Sequence, residues 1–172
     1  MQLIIRPAVA SDCPLVLSFI RDLASYEQLM AEFQATEEKL HATLFAERPS
    51  AECVLAFVDG AAAGFAVFYT NYSTFLAKPG LYVEDLFVKP AFRKKGVGRA
   101  LLAHIAGLAN ERGCGRVEWT VLDWNEPAID FYATFGAAPM EDWRLCRLSG
   151  EVLKKYAGAG AGVGVENAAA AM

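Results

Sequence analysis

The chain has 172 residues, 55% of them hydrophobic and 21% charged, a composition ordinary for a globular protein with one sizeable core. Its 16 Lys and Arg against 20 Asp and Glu leave a net charge of −4, which offers no general reason to bind nucleic acid. The cysteines Cys13, Cys53, Cys114 and Cys146 form no CxxC pair and have only His41 and His104 beside them, so reduced thiols and no metal site are expected. The first apolar run meets Arg6 and Pro7 too soon for a signal peptide, and no apolar stretch is long enough to cross a bilayer. The expectation is a soluble, cytoplasmic protein.

Helical and extended patterns then alternate. Residues 3–5 read as a strand stopped by Pro7, and Ser11 and Asp12 offer N-caps to a helix with Leu15, Phe19, Leu23 and Tyr26 at helical spacing. Thr36, Glu37 and Glu38 open a second helix that reaches about Ala46. Residues 53–58 and 64–70 flank Asp59-Gly60 and predict a hairpin. A polar loop is expected over 71–80, then a third long strand over 81–88, ended by Pro90.

Residues 96–112 predict an amphipathic helix closed by Gly113 and Gly115, with a strand over 117–122 after it. Asn125 and Pro127 start a helix that stops at Gly136. Residues 143–148 read as a last strand, and Ser149 caps a short helix to about Tyr156. From 157 to 172 the chain is low-complexity Gly and Ala, expected to be disordered, which leaves one domain over 1–156.

Two segments carry chemistry. In Val88-Lys89-Pro90-Ala91-Phe92-Arg93-Lys94-Lys95-Gly96-Val97-Gly98-Arg99 a strand ends, a basic turn follows, and two glycines open a helix. Such a junction gathers backbone N–H groups and the positive end of a helix dipole at one place. It reads either as a diphosphate cradle or as a solvated basic turn. A Walker A loop is excluded because no Gly-Lys-Ser/Thr is present, and a dinucleotide fingerprint because Leu101 holds its third glycine position. The second segment, Asn125-Glu126-Pro127-Ala128-Ile129-Asp130-Phe131-Tyr132, is an Asn-capped helix carrying two consecutive aromatics before Gly136 and Ala137.

Together, R-K-K-G-V-G and N-x-P-A-x-x-F-Y-x-x-x-G-A about thirty residues later resemble the GNAT superfamily of N-acetyltransferases over roughly residues 3–156. Within it, Ile5-Arg6-Pro7-Ala8, Leu23-Ala24-Ser25-Tyr26-Glu27, Val83-Glu84-Asp85-Leu86-Phe87-Val88 and Trp124-Asn125-Glu126-Pro127 resemble the diamine acetyltransferases, a group that includes the spermidine/spermine and thialysine enzymes. The resemblance implies an α/β GNAT-type fold: a mixed, mostly antiparallel twisted sheet of about six to seven strands flanked by about four helices. It also implies acetyl-coenzyme A as co-substrate, a small polyamine, diamine or thialysine-like acceptor, and a homodimer. The short turn at Asp59-Gly60, Lys94-Lys95, Trp119 and the Gly/Ala tail depart from that group.

The site residues follow from the same resemblance. Arg93, Lys94, Lys95, Gly96, Val97, Gly98 and Arg99 would surround the diphosphate. Leu86, Phe87 and Val88 would bind the acetyl carbonyl and pantetheine arm through their backbone, with Asn125, Pro127, Ala128 and Tyr132 on the same cofactor. Tyr132 would protonate the departing thiolate, and Glu84 would be the base, acting through water. Tyr26, Glu27, Glu84, Asp85, Trp119 and Glu141 would hold the acceptor. In a regular strand Glu84 and Asp85 face opposite sides unless a bulge intervenes. Other amines (an amino acid, an aminoglycoside-like amine or a protein lysine) and a non-catalytic acyl-coenzyme A-binding module are the competing readings.

Overall fold

The computed structural model describes residues 1–157, so the expected tail lies outside the described residues apart from Ala157. The chain divides into two compact units, one formed by Met1–Leu122 and the other beginning at Asp123.

The first unit is built on a five-stranded sheet in the order β1-β2-β3-β4-β5: β1 (Leu3–Pro7), β2 (Glu52–Val58), β3 (Ala61–Ser73), β4 (Lys78–Val88) and β5 (Val117–Trp119). All neighbours are antiparallel except β4 and β5, which are parallel. Three α-helices accompany the sheet: α1 (Cys13–Tyr26), α2 (Glu37–Leu44) and α3 (Val97–Glu111). Asp59 and Gly60 both have positive φ, 48° and 83°, and Val58 pairs with Ala61, so the β2–β3 hairpin turns on two residues as expected.

Alternation along the strands sends side chains to two cores. On one face Val54, Ala56, Phe68, Leu81 and Val83 pack with Val97, Leu101 and Ile105 of α3. On the other, Leu55, Phe65, Val67 and Phe87 pack with Cys13, Val16, Phe19 and Leu23 of α1 and Leu40 of α2. Phe19 and Phe65 stack at 5.3 Å with both side chains fully buried, and burial of this kind is worth about 1.5–3 kcal/mol per ring. Gly64 lets β3 and β4 approach closely, since a Cβ there would lie 2.5 Å from the Phe87 carbonyl.

The second unit carries α4 (Glu126–Ala133) and α5 (Gly150–Lys154). The expected strand over 143–148 is absent among the described residues. Trp143 and Leu145 are exposed, and the Trp143 N–H turns back to the Met140 carbonyl at 3.1 Å rather than entering a ladder. A strand exists only through a partner, which a local pattern does not supply. Among the described residues the strand count is therefore five rather than six or seven, and the five α-helices are the five expected segment by segment, where the resemblance implied about four. The strand expected over 117–122 shortens to Val117–Trp119, and the expected 71–80 loop shrinks to residues 74–77 because β3 and β4 pair out to Ser73 and Lys78.

Candidate active site

The β3–β4 ladder shifts register in its middle. Val67 pairs with Asp85 while the next residue, Phe68, pairs with Val83, so Glu84 is an extra residue without a counterpart on β3. This is a β-bulge, and it breaks the alternation that would have sent Glu84 and Asp85 to opposite faces. Asp85 shares the α1 face with Val67 and Phe87. Glu84 is solvent-exposed and acts electrostatically on both Asp85 and Tyr69.

Asp85 opens into a cleft of about 240 Å³ bounded by the end of α1 and the linker to α2. Ile20, Leu23, Leu29 and Phe33 give it apolar walls, and Glu27, Glu32 and Asp85 supply carboxylates. Burial, with the charges of Glu84 and Glu27 adding to it, pushes the Asp85 carboxyl up to about 7. Burial also raises Glu27. Tyr69 is raised by burial first and then by Glu84 and Tyr82, whose ring lies 5.2 Å away. A carboxyl poised near neutrality can accept a proton at physiological pH.

Trp119 does not join this group. It stands opposite Val83, which is itself opposite Phe68, and packs on the α3-side core. The sheet therefore separates it from the face that carries Asp85.

Beyond the bulge, β4 has an open edge. β5 pairs with β4 only at Leu81, Tyr82 and Val83, so the sheet as described gives Glu84 to Val88 no neighbour on that side. The Lys89 N–H donates to the Ala63 carbonyl at 2.9 Å, and by antiparallel alternation the N–H groups of Leu86 and Val88 face away from β3. An extended amide-bearing chain can add to such an edge as a strand would.

The edge leads into the basic loop. Gly96 is the N-cap of α3 with φ +82°, it contributes no side-chain cap, and the first turn holds no acidic residue. Lys94 is also left-handed, with φ 59°. A Cβ on Gly96 would meet nothing within 4 Å, so the space above the loop is open. Backbone donors, two left-handed residues and the basic side chains of Lys94, Lys95 and Arg99 fit a diphosphate. Arg93 is placed differently from the expectation. Its Nε donates to the Val88 carbonyl at 3.0 Å, and its guanidinium lies 4.6 Å from the centre of the Tyr26 ring and 5.7 Å from that of Phe87.

Asn125, Pro127, Ala128, Tyr132 and Glu141 belong to the second unit. Asn125 is buried and is the N-cap of α4, yet its side chain makes no cap hydrogen bond; its carbonyl accepts from Ala128 and Ile129 at 3.0 and 3.1 Å. Pro127 sits in the first turn, where a missing N–H costs nothing. Tyr132 is half-buried in the last turn, its ring 5.3 Å from Phe131, and Glu141 is exposed.

The model of the acetyltransferase (GNAT) family matches residues 22–137, more than half of the chain and both loop and aromatic helix. The chain belongs to the GNAT family. It is 35% identical to the thialysine N-epsilon-acetyltransferase of Sus scrofa, over 91% of this chain and 98% of the relative. It is equally 35% identical to an L-ornithine N5-acetyltransferase of Arabidopsis thaliana, over 87% and 86% of the two chains. A solved V. cholerae integron cassette protein superposes with a TM-score of 0.77 at 26% identity, covering 91% of this chain and 98% of that one.

This GNAT chain is thus an N-acetyltransferase acting on an amine, with an acyl-coenzyme A as co-substrate. The cleft also contains residues that sequence reasoning missed. Glu32 and Phe33 lie in the linker between α1 and α2, Glu32 ending a short 3-10 turn, and the only signal there was composition. Outside the cleft, Tyr69 follows Val67 by two residues on β3 and feels the charge of Glu84.

Proposed function

We propose that this GNAT enzyme transfers acetyl from acetyl-coenzyme A to a primary amine of a small polyamine, diamine or thialysine-like acceptor, by direct attack in a ternary complex. The observation that carries the reading is Asp85, a carboxyl near 7 beside Glu84 and Glu27 in a cleft with apolar walls. Methylenes between two amines suit such walls, and carboxylates suit the ammonium that does not react. Relatives named for thialysine and L-ornithine, both carrying two amino groups, support the same acceptor class.

An alkylamine is protonated at neutral pH, with a pKa of ~10, and only its neutral form attacks a thioester. The family resemblance implies Glu84 as the base; in this reading the bulge pair shares the role. Asp85 takes the ammonium proton inside the cleft, and the exposed Glu84 passes it to solvent. The N–H groups of Leu86 and Val88 hold the acyl carbonyl and pantetheine arm, and the loop backbone from Lys94 to Gly98 holds the diphosphate, helped by the charges of Lys94, Lys95 and Arg99. Bound acetyl-coenzyme A supplies the activated acyl carbon. Tyr132 protonates the thiolate, whose own pKa lies near ~8.5. Asn125 and Glu141 complete the cofactor and acceptor sets. A cytoplasmic homodimer belongs to the same reading, for which the four free cysteines are in keeping with a reducing compartment.

Thiol release from acetyl-coenzyme A over a panel of spermidine, thialysine, L-ornithine and butylamine is the test. The dications should show the higher kcat/KM, with an advantage that shrinks as salt screens the outer charge pair. Equal rates on butylamine and the diamines at low salt would sink the acceptor assignment, and no release with any amine would sink the acetyl-transfer reading.

A further inference from the structure

Arg93 touches three parts of the site at once. Its backbone belongs to the basic loop, its Nε bonds the Val88 carbonyl on the open edge of β4, and its guanidinium covers the ring of Tyr26, the last residue of α1. The next residue, Glu27, caps α1 and lines the acceptor cleft, and the cleft wall continues through Leu29 to Phe33. A guanidinium committed to a carbonyl and an aromatic face is poorly placed to serve as a mobile phosphate cation. It is well placed to hold the acceptor wall against the loop.

We infer that Arg93 is a positioning residue that couples the two substrate sites, its stack on Tyr26 transmitting the state of the diphosphate loop to the Glu27–Phe33 wall of the acceptor cleft. The inference rests on the functional reading above for the identity of the two ligands. Coupling of this kind is reciprocal: ordering the loop favours acceptor binding, and acceptor binding favours the cofactor by the same factor. Its size is set by one cation–π contact, which corresponds to roughly 3–30-fold in affinity.

The test uses Arg93→Met, Arg93→Lys and Tyr26→Leu in the full chain, with three readouts. These are coenzyme A affinity by calorimetry without acceptor, acceptor KM for thialysine, and amide exchange of residues 27–36 with and without coenzyme A. In the wild type, coenzyme A should slow exchange over 27–36. Arg93→Met and Tyr26→Leu should each abolish that effect and raise the acceptor KM about 3–30-fold, while coenzyme A affinity without acceptor changes by less than about threefold. The double variant should be no worse than the worse single one, and Arg93→Lys should restore part of the coupling. A tenfold loss of coenzyme A affinity in Arg93→Met with unchanged acceptor KM would overturn the inference and make Arg93 a simple phosphate cation. Exchange over 27–36 that ignores coenzyme A in the wild type would overturn it as well. Failure of the functional reading shows separately, as a wild type that binds no coenzyme A or releases no thiol.

Discussion

Glu84 stands beside Asp85 at the one point where β4 has a residue to spare, and its charge adds to burial in holding the Asp85 carboxyl near 7. The folded pKa is raised above the ordinary 3.8, so the native state binds a proton that the unfolded chain has already lost. Stability from this group is therefore full below about pH 4 and falls as pH rises to about 7. Asp85→Asn should raise Tm by about 2–6 °C at pH 8, with the gain vanishing toward pH 4. The same substitution should remove the limb of kcat/KM centred near pH 7 from the pH–rate profile. Identical melting of wild type and variant at both pH values would place Asp85 in open solvent.

Tyr132→Phe should lower kcat by ~10²–10⁴-fold, the range for losing a positioned general acid. Coenzyme A affinity should change little, because the phenyl ring and its packing against Phe131 remain. Stopped-flow acetyl transfer at saturating acceptor is the measurement. Near wild-type turnover would mean that water protonates the thiolate.

Gly96→Ala should weaken acyl-coenzyme A binding through the backbone rather than through a clash. A Cβ there meets no atom within 4 Å, but φ +82° is left-handed and costs an alanine about 1–2 kcal/mol. Either the strain lowers Tm by a few degrees or the loop relaxes and loses its donor array. Gly96→Asn, which tolerates this conformation better, should fall between glycine and alanine in coenzyme A affinity by calorimetry. If asparagine binds worse than alanine, side-chain bulk rather than conformation is the cause.

Arg6 and Asp12 tie β1 to the start of α1 with hydrogen bonds of 2.6 and 2.8 Å. The Arg6 guanidinium, together with the Val9 N–H, holds the Asp12 carboxyl down at about 2. Here the folded pKa is depressed, so the stabilisation is full above about pH 4 and is lost as pH falls toward 2. The pair is partly exposed, which limits its worth to about 1 kcal/mol. Asp12→Asn should cost that amount at pH 7 in urea unfolding, and progressively less as pH falls from about 4 through 2. A cost independent of pH would assign Asp12 a purely steric role.

Much of this was legible locally. Asp59-Gly60 announced its turn because two adjacent left-handed residues favour Asp or Asn followed by Gly, and the spacing of Val97, Leu101 and Ile105 announced the buried stripe of α3. The basic loop was legible as a diphosphate candidate because Gly96 and its neighbours must serve the backbone where they stand. Trp119 was misplaced, since one position along a strand decides the face of the sheet and a short parallel strand carries no pattern of its own to reveal it. The strand expected over 143–148 failed for the related reason that alternation describes a face and does not supply a partner.

Sequence alone determined the order of the five helices and the first five strands, the glycine-dependent turn and loop, and the chemical types available to a GNAT site, because each depends on residues within a few positions of one another. Tertiary structure decided which of two adjacent carboxyls is withdrawn from water. Glu84 and Asp85 are adjacent and nearly alike in sequence, and only the register shift against Val67 and Phe68, with α1 closing over one of them, makes Asp85 the desolvated carboxyl and leaves Glu84 in water. The stack of Arg93 on Tyr26 likewise joins residues far apart along the chain, a contact that the packing of α1 against the sheet creates and that no local pattern encodes.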